Sequence, residues 1–324
     1  MDNSLRVNLD YTIFNNQRSL EYYDNNKLKK EKRILIDKML QSKDRYDVEF
    51  ATIYDIDDHY TSKRISSIQA LNAYSDIIPS NRDVEIGVKL FKSYIYVEEQ
   101  SVRLLDEYTM GLEHAIDSIS DDYIRGMYQI RYSIISLASL VSKNYINEVR
   151  RVCKKIMNDN LDNYYSALVS VWYGNTFLLD EPEKTIEIYE EALKWANDSR
   201  CEGVRMNLKN GLDFANIMMG KQPKYLNFES NKPSEIHNIA FWYIKKGNLK
   251  VGEELLNTLN MDELNDVQKA YHHYYRGFIR EPLKHFSQSL KHFKMGGEFY
   301  FRKLALFELK RLGLDENVIE ALSV

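Results

Sequence analysis

Apolar residues recur along this chain at intervals of three and four, interrupted by short polar breaks that carry most of its prolines. Between Pro282 and Gly296, Leu283, Phe286, Leu290 and Phe293 fall on one helical face, with Lys284, Gln288 and Lys291 on the other. The run that precedes them starts at Asp262 and is set off by Arg280-Glu281-Pro282, and Gly296-Gly297 opens a third segment that reaches Leu314. An apolar face of this kind must be covered by a neighbour, so residues 262–314 read as helices stacked in pairs.

The same grammar holds upstream. Within residues 12–40, Leu20, Tyr23, Leu35 and Met39 can point inward, while the basic stretch 27–33 reads as a solvated face, because Glu31 interrupts it and no helix-turn-helix pattern surrounds it. Residues 65–78 and 84–105 form a hairpin about the break 79–83. Residues 104–112 and 123–141 follow, with 117–122 as a polar hinge and Tyr128, Tyr132, Ile135 and Leu140 spaced for burial. Residues 164–196 come closest to a tetratricopeptide repeat. Gly174 stands where the first helix must approach its partner, Phe177 follows three residues on, and Thr185, Tyr189 and Ala192 keep the four-plus-three spacing of the second helix. A second copy runs over 236–259, turning at Lys246-Gly247-Asn248. The expected fold is all-α, a right-handed superhelix of tetratricopeptide-like helical hairpins. A single repeat domain is expected over 1–324, with 309–324 as capping and dimerisation helices.

Composition supports this picture. Five prolines and 13 glycines in 324 residues leave little material for turns, and no Val/Thr-rich alternating runs suggest a sheet. A net charge of -4 supplies no overall attraction for nucleic acid. No apolar run approaches the roughly 18 residues of a membrane span, and the opening MDNSLRVNLD lacks the cationic and apolar regions of a signal peptide. A cytoplasmic chain that does not meet the membrane is expected. Cys153 and Cys201 are too few for a disulfide framework and read as small helix residues.

Chemistry is sparse. No GxSxG, P-loop, GxGxxG or HExxH pattern occurs, so neither an enzyme nor a cofactor is expected. The acidic cluster at 55–59 would need Gly at its sixth position and Glu at its twelfth to be a calcium loop, and those places hold Tyr60 and Ser66. His285 and His292 are seven apart and can share a helical face with His272 and His273 nearby. No carboxylate or cysteine joins them at ligand spacing, and they read as packing or surface residues rather than a metal site. The 24 tyrosines suit both a core and the lining of a peptide-binding channel.

At Asn227-Phe228-Glu229-Ser230, over 240–259, and in YHHYYRGF, SLKHFK and LFELKRLG, the chain resembles the AimR arbitrium-receptor family of Bacillus phages. The resemblance extends back through Gly174-Asn175, IRGMYQIR and LIDKML to SLEYYD, and so spans almost the whole chain. It implies a receptor for a short oligopeptide signal, typically ending Arg-Gly-Ala, that controls the choice between lysis and lysogeny as a homodimer. Family members begin with a helix-turn-helix DNA-binding domain, and the resemblance starts just after it, so DNA contact is expected only through a domain absent from this chain. By the same resemblance Glu298 falls at an acidic position of the peptide groove, Tyr300 at an aromatic one and Asn175 at an amide one. His237, Asn238 and Phe241 correspond in position alone. Tyr164 stands where relatives have arginine, and Ala138 and Ser142 where they have asparagine, which implies a changed ligand or pose. Glu298 also has a plain alternative reading, as an acid at a helix N-terminus following the glycine pair. Val318, Ile319 and Leu322 form a terminal apolar face suited to a dimer contact. A second functional reading is a scaffold acting on a host or phage protein without DNA.

Overall fold

The computed structural model describes residues 15–99, 101–158, 163–196 and 201–323. Among these lie eighteen α-helices and no strand, so the chain is all-α as expected. Its contacts gather into two compact units, one made of Met1–Glu98 with Leu104–Ile135 and the other of Glu99–Arg103 with Ser136–Val324.

The first unit holds α1 (Asn16–Asn25), α2 (Lys29–Met39), α3 (Arg45–Thr61), α4 (Ser67–Asp76) and α5 (Arg82–Glu98). It also holds most of α6 (Val102–Thr109), α7 (Leu112–Asp117) and the greater part of α8 (Asp122–Ser142). Local chemistry sets the helix starts. The Asn15 side chain accepts from the Arg18 N–H, and Ser66 and Gln69 bond each other's backbone in a reciprocal capping box. Leu20, Ile36, Met39, Phe50, Tyr54 and Leu90 are fully buried, each worth about 1.5–3 kcal/mol of transfer free energy.

Here the basic stretch and the acidic cluster of the sequence meet. Lys32 Nζ lies 2.9 Å from Asp24 and 3.7 Å from Asp57 and also bonds Asp58. Arg131, reaching in from α8, lies 2.6 Å from Asp24 and 3.1 Å from Glu21. The solvated-face reading of 27–33 therefore fails at Lys32, whose side chain is 8% exposed. Helical spacing alone turns Lys32 inward, and partners 8 to 26 residues away are invisible to a local charge count. Burial, reinforced by the charge of Asp24, pushes the Asp57 carboxyl up to about 6.

The second unit continues with α9 (Ile146–Asn158), α10 (Asn163–Asn175), α11 (Pro182–Trp195), α12 (Glu202–Met218) and α13 (Pro233–Lys245). It ends with α14 (Leu249–Asn257), α15 (Asp266–Gly277), α16 (Pro282–Met295), α17 (Lys303–Arg311) and α18 (Glu316–Ser323). Pro182, Pro233 and Pro282 each open a helix, where a missing N–H costs nothing. Each helix packs on its sequence neighbour, α10 on α11, α13 on α14 and α15 on α16, and α10, α12, α13 and α15 also touch in succession. These are the hairpins that the apolar periodicity predicts.

Tyr189 of α11 shows how the stack closes. Its ring lies in a slot between α10 and α12. A Cβ at Gly174 would sit 2.2 Å from one edge of the ring, and a Cβ at Gly211 2.6 Å from the other. Thr185 and Ala192 are fully buried on the same face. In α16, Phe286, Leu290 and Phe293 are buried, but Leu283 is 51% exposed. The Phe286 ring lies against Gly277, the last residue of α15, so Leu283, a turn earlier, overhangs the end of its partner. At the terminus, Ile319 joins the core cluster of Leu304 and Leu309 and is covered by its own chain, because α18 packs on α16 and α17. Val318 is 49% exposed, and the Leu322 side chain lies outside the described residues.

Candidate functional site

Three of the residues singled out in the sequence, Asn175, Glu298 and Tyr300, come together in the second unit. Helix α16 ends at Gly296-Gly297, and Gly297 adopts φ 74°, a conformation that turns the chain sharply before α17. The turn that follows, 298–302, is laid against the ends of α8 and α10. The Phe299 N–H donates to the Ser142 carbonyl at 2.6 Å, Lys303 Nζ to Asn144 Oδ1 at 2.8 Å, and the Tyr300 hydroxyl to the Asn175 carbonyl at 2.6 Å. That last bond gives a second donor to a carbonyl at the C-terminus of α10, which also accepts from the Leu178 N–H at 3.2 Å.

Glu298 is 7% exposed and accepts from the Ser142 hydroxyl at 2.8 Å on one oxygen. Its other oxygen accepts from the Tyr300 and Phe301 N–H groups at 3.3 and 3.4 Å. Burial pushes its carboxyl up to about 7 against the opposing pull of these bonds. Glu298 is thus not a helix N-terminal acid, since α17 begins only at Lys303. An ionised carboxylate offers about four acceptor positions, which leaves room for a cationic group beside its three protein donors. Asn175 is partly exposed; its side-chain oxygen accepts from the Tyr189 hydroxyl at 2.6 Å. Among the described residues its NH2 group meets no acceptor. The role of Ser142 was hidden in the sequence, where it registered only as a lost asparagine; the residue it serves lies 156 positions away.

The other predicted residues lie apart from this junction. Phe241 is wholly buried, its ring 5.8 Å from Phe214 and 4.9 Å from Tyr275, so it is a core residue and offers no surface to a ligand. Tyr300 is as deeply buried, so position on a groove helix does not say which face a side chain takes. Asn238 donates to the Asn210 carbonyl at 3.3 Å. Tyr164 stands edge-on to Tyr165 at 5.3 Å. Ala138 is buried.

His237 joins the histidines of α15 and α16 in a row that the sequence spacing showed only in part. Its Nε2 is 3.4 Å from His272 Nδ1, His273 and His285 face each other through Nδ1 at 3.1 Å, and His292 stacks on His273 and contacts Asp266 at 2.9 Å. Arg276 donates to His272 at 2.8 Å. Among the described residues no three His, Cys, Asp or Glu side chains converge as metal ligands.

Burial pushes His237 and His272 down to about 3, from an ordinary 6.5. Above pH 6.5 neither state binds these protons and stability is unaffected. Below it the unfolded chain takes protons that the fold refuses, and stability falls until about pH 3. At pH 5 each of these two buried residues should cost about 2 kcal/mol. Glu298, with its raised value, works in the opposite sense between about pH 4.5 and 7, so the histidine contribution is read by difference. The slope of unfolding free energy against pH between 6 and 4 should be smaller by one proton in His237→Leu than in the wild type. Equal slopes would show that His237 does not resist protonation.

Among the described residues no helix is long and apolar enough to cross a membrane. A family model described as AimR transcriptional regulator-like matches residues 6–311. The AimR transcriptional regulator of Bacillus phage SPbeta is 23% identical over 317 residues, covering 98% of this chain and 81% of that protein. The corresponding regulator of Bacillus phage phi3T is 21% identical over 308 residues, or 95% of this chain and 80% of the relative. A solved phAimR–ligand structure shares the fold with a TM-score of 0.83 at 20% identity, covering 92% of this chain and 87% of that one. A SeMet-phAimR structure gives a TM-score of 0.69, covering 95% and 80%.

Proposed function

The chain belongs to the AimR transcriptional regulator-like family, and from that premise we propose that it is a cytoplasmic receptor for a short phage-encoded peptide that sets the choice between lysis and lysogeny. The observation that carries the reading is the junction of Asn175, Glu298 and Tyr300. A buried carboxylate with spare acceptor capacity lies in one polar cluster with an amide whose donors are unspent. An extended peptide needs such groups, an acid for a guanidinium and amide donors for its carbonyl oxygens. His237 and Asn238, on α13, extend the same surface only if the ligand reaches the α12–α13 contact, and Tyr164 only if it reaches the start of α10. Val318 is exposed and belongs to the proposed homodimer contact.

Isothermal titration calorimetry with synthetic peptides ending Arg-Gly-Ala tests the proposal, and the pH dependence identifies the acid. A bound guanidinium favours the ionised form of Glu298, whose carboxyl stands near 7 in the free protein. Affinity should therefore weaken as pH falls below 7, by up to about tenfold per unit. The dependence should vanish in Glu298→Gln, whose affinity should be low at every pH. Absence of heat from any such peptide between pH 6 and 8 would sink the receptor reading.

A further inference from the structure

Building on the receptor reading, we propose that Tyr189 is a positioning residue that holds the Asn175 carboxamide by its oxygen, so that both amide hydrogens are left for the backbone of the bound peptide. Tyr189 does this without being a ligand contact itself: its ring is fully buried and filled around by three helices.

The geometry makes the hydroxyl a fixed point. The ring belongs to α11, one edge rests on Gly174 of α10 and the other on Gly211 of α12, with no room for even a methyl group on either side. Its hydroxyl donates to Asn175 Oδ1 at 2.6 Å and lies 3.1 Å from the Val171 carbonyl one turn earlier in α10. A partly exposed asparagine at a helix end would otherwise sample several rotamers and lose that freedom on binding. Here the rotamer is set before a ligand arrives. The same residue is held from the other side, since its backbone carbonyl accepts from Tyr300, two positions after Glu298. Asn175 is thus a node between the glycine slot and the turn that carries the acid, and the spacing of amide and carboxylate is set by both tyrosines.

Tyr189→Phe keeps the ring in the slot and removes only the hydroxyl, so the fold should survive with a melting temperature close to that of the wild type. With a synthetic peptide ending Arg-Gly-Ala as the probe, calorimetry should give an affinity about five- to tenfold weaker for Tyr189→Phe. Asn175→Ala should lose at least as much, and the double variant should bind no more weakly than Asn175→Ala alone. A role in packing only would not produce that coupling. In the free protein, the side-chain NH2 resonances of Asn175, assigned by their loss in Asn175→Ala, should shift in Tyr189→Phe. Wild-type affinity in Tyr189→Phe, additive losses in the double variant, or unmoved Asn175 resonances would each overturn the positioning role. A wild-type protein that takes up no peptide would instead overturn the receptor reading, which is a different result from a binding wild type matched by Tyr189→Phe.

Discussion

Arg131→Met should destabilise the first unit by about 3–5 kcal/mol, measured as a lower urea midpoint at an unchanged denaturant slope. Arg131 is 8% exposed and lies between Asp24 and Glu21, with its guanidinium carbon 5.0 Å from the centre of the Phe91 ring. Methionine keeps much of the apolar contact with Phe91 and removes the charge, leaving two buried carboxylates short of a partner. Burial would raise the Asp24 carboxyl, but Lys27, Arg131 and Lys32 together hold it far below the usual range. A depressed acid stabilises the fold above its unfolded value near 3.8, and that contribution is lost as pH falls through the folded value. Arg131→Met should shrink this acid-side loss as well as the stability at neutral pH. Adding Glu21→Gln should recover part of the difference, because one of the stranded charges is then gone. A single variant within about 1 kcal/mol of the wild type would mean that the cluster does not hold α1 to α8.

Gly174→Ala and Gly211→Ala should each cost about 1–3 kcal/mol, while the same substitution at Gly126 or Gly203 should stabilise by about 0.5–1 kcal/mol. All four glycines lie within helices, where alanine is intrinsically favoured. The sign is decided by what the new methyl meets. At Gly126 and Gly203 nothing lies within 4 Å, whereas at Gly174 and Gly211 it meets the Tyr189 ring at 2.2 and 2.6 Å. That ring is held between two backbones and cannot rotate clear of both. Thermal denaturation of the four variants is the measurement. Stabilisation at Gly174 or Gly211 would show that the slot is looser than the packing indicates.

The helices and their pairing were legible because burial repeats every three to four residues, and the prolines at 182, 233 and 282 mark starts that chemistry alone requires. Gly174 against Tyr189 was legible too, as part of a repeat spacing. Gly211, which completes the same slot, was not, since nothing local distinguishes it from Gly203 eight positions earlier. Resemblance to a family singled out Asn175, Glu298 and Tyr300, and the fold brings all three together, but it could not say how each is held. The longest of the bonds that do so cross 125 and 156 residues. Phe241 lies wholly within the core of the second unit, as the Tyr300 ring is wholly buried too, and nothing in the sequence marks the depth of either side chain. The histidine row was half visible as a seven-residue spacing on α16, and needed α13 and α15 beside it to become a row.

The bond from Ser142 to Glu298 also bears on the order in which the molecule is made. Stacked hairpins form mainly from contacts close along the chain, and so can fold as they emerge from the ribosome. The junction cannot. At about 5–20 residues per second, the 156 residues between the two partners take roughly 8–30 s to synthesise. Throughout that interval the end of α8, joined part-way by the end of α10, exists without the turn that will seal it. A chain released between the end of α16 and Glu298 would therefore keep sixteen of its helices and lack its candidate site.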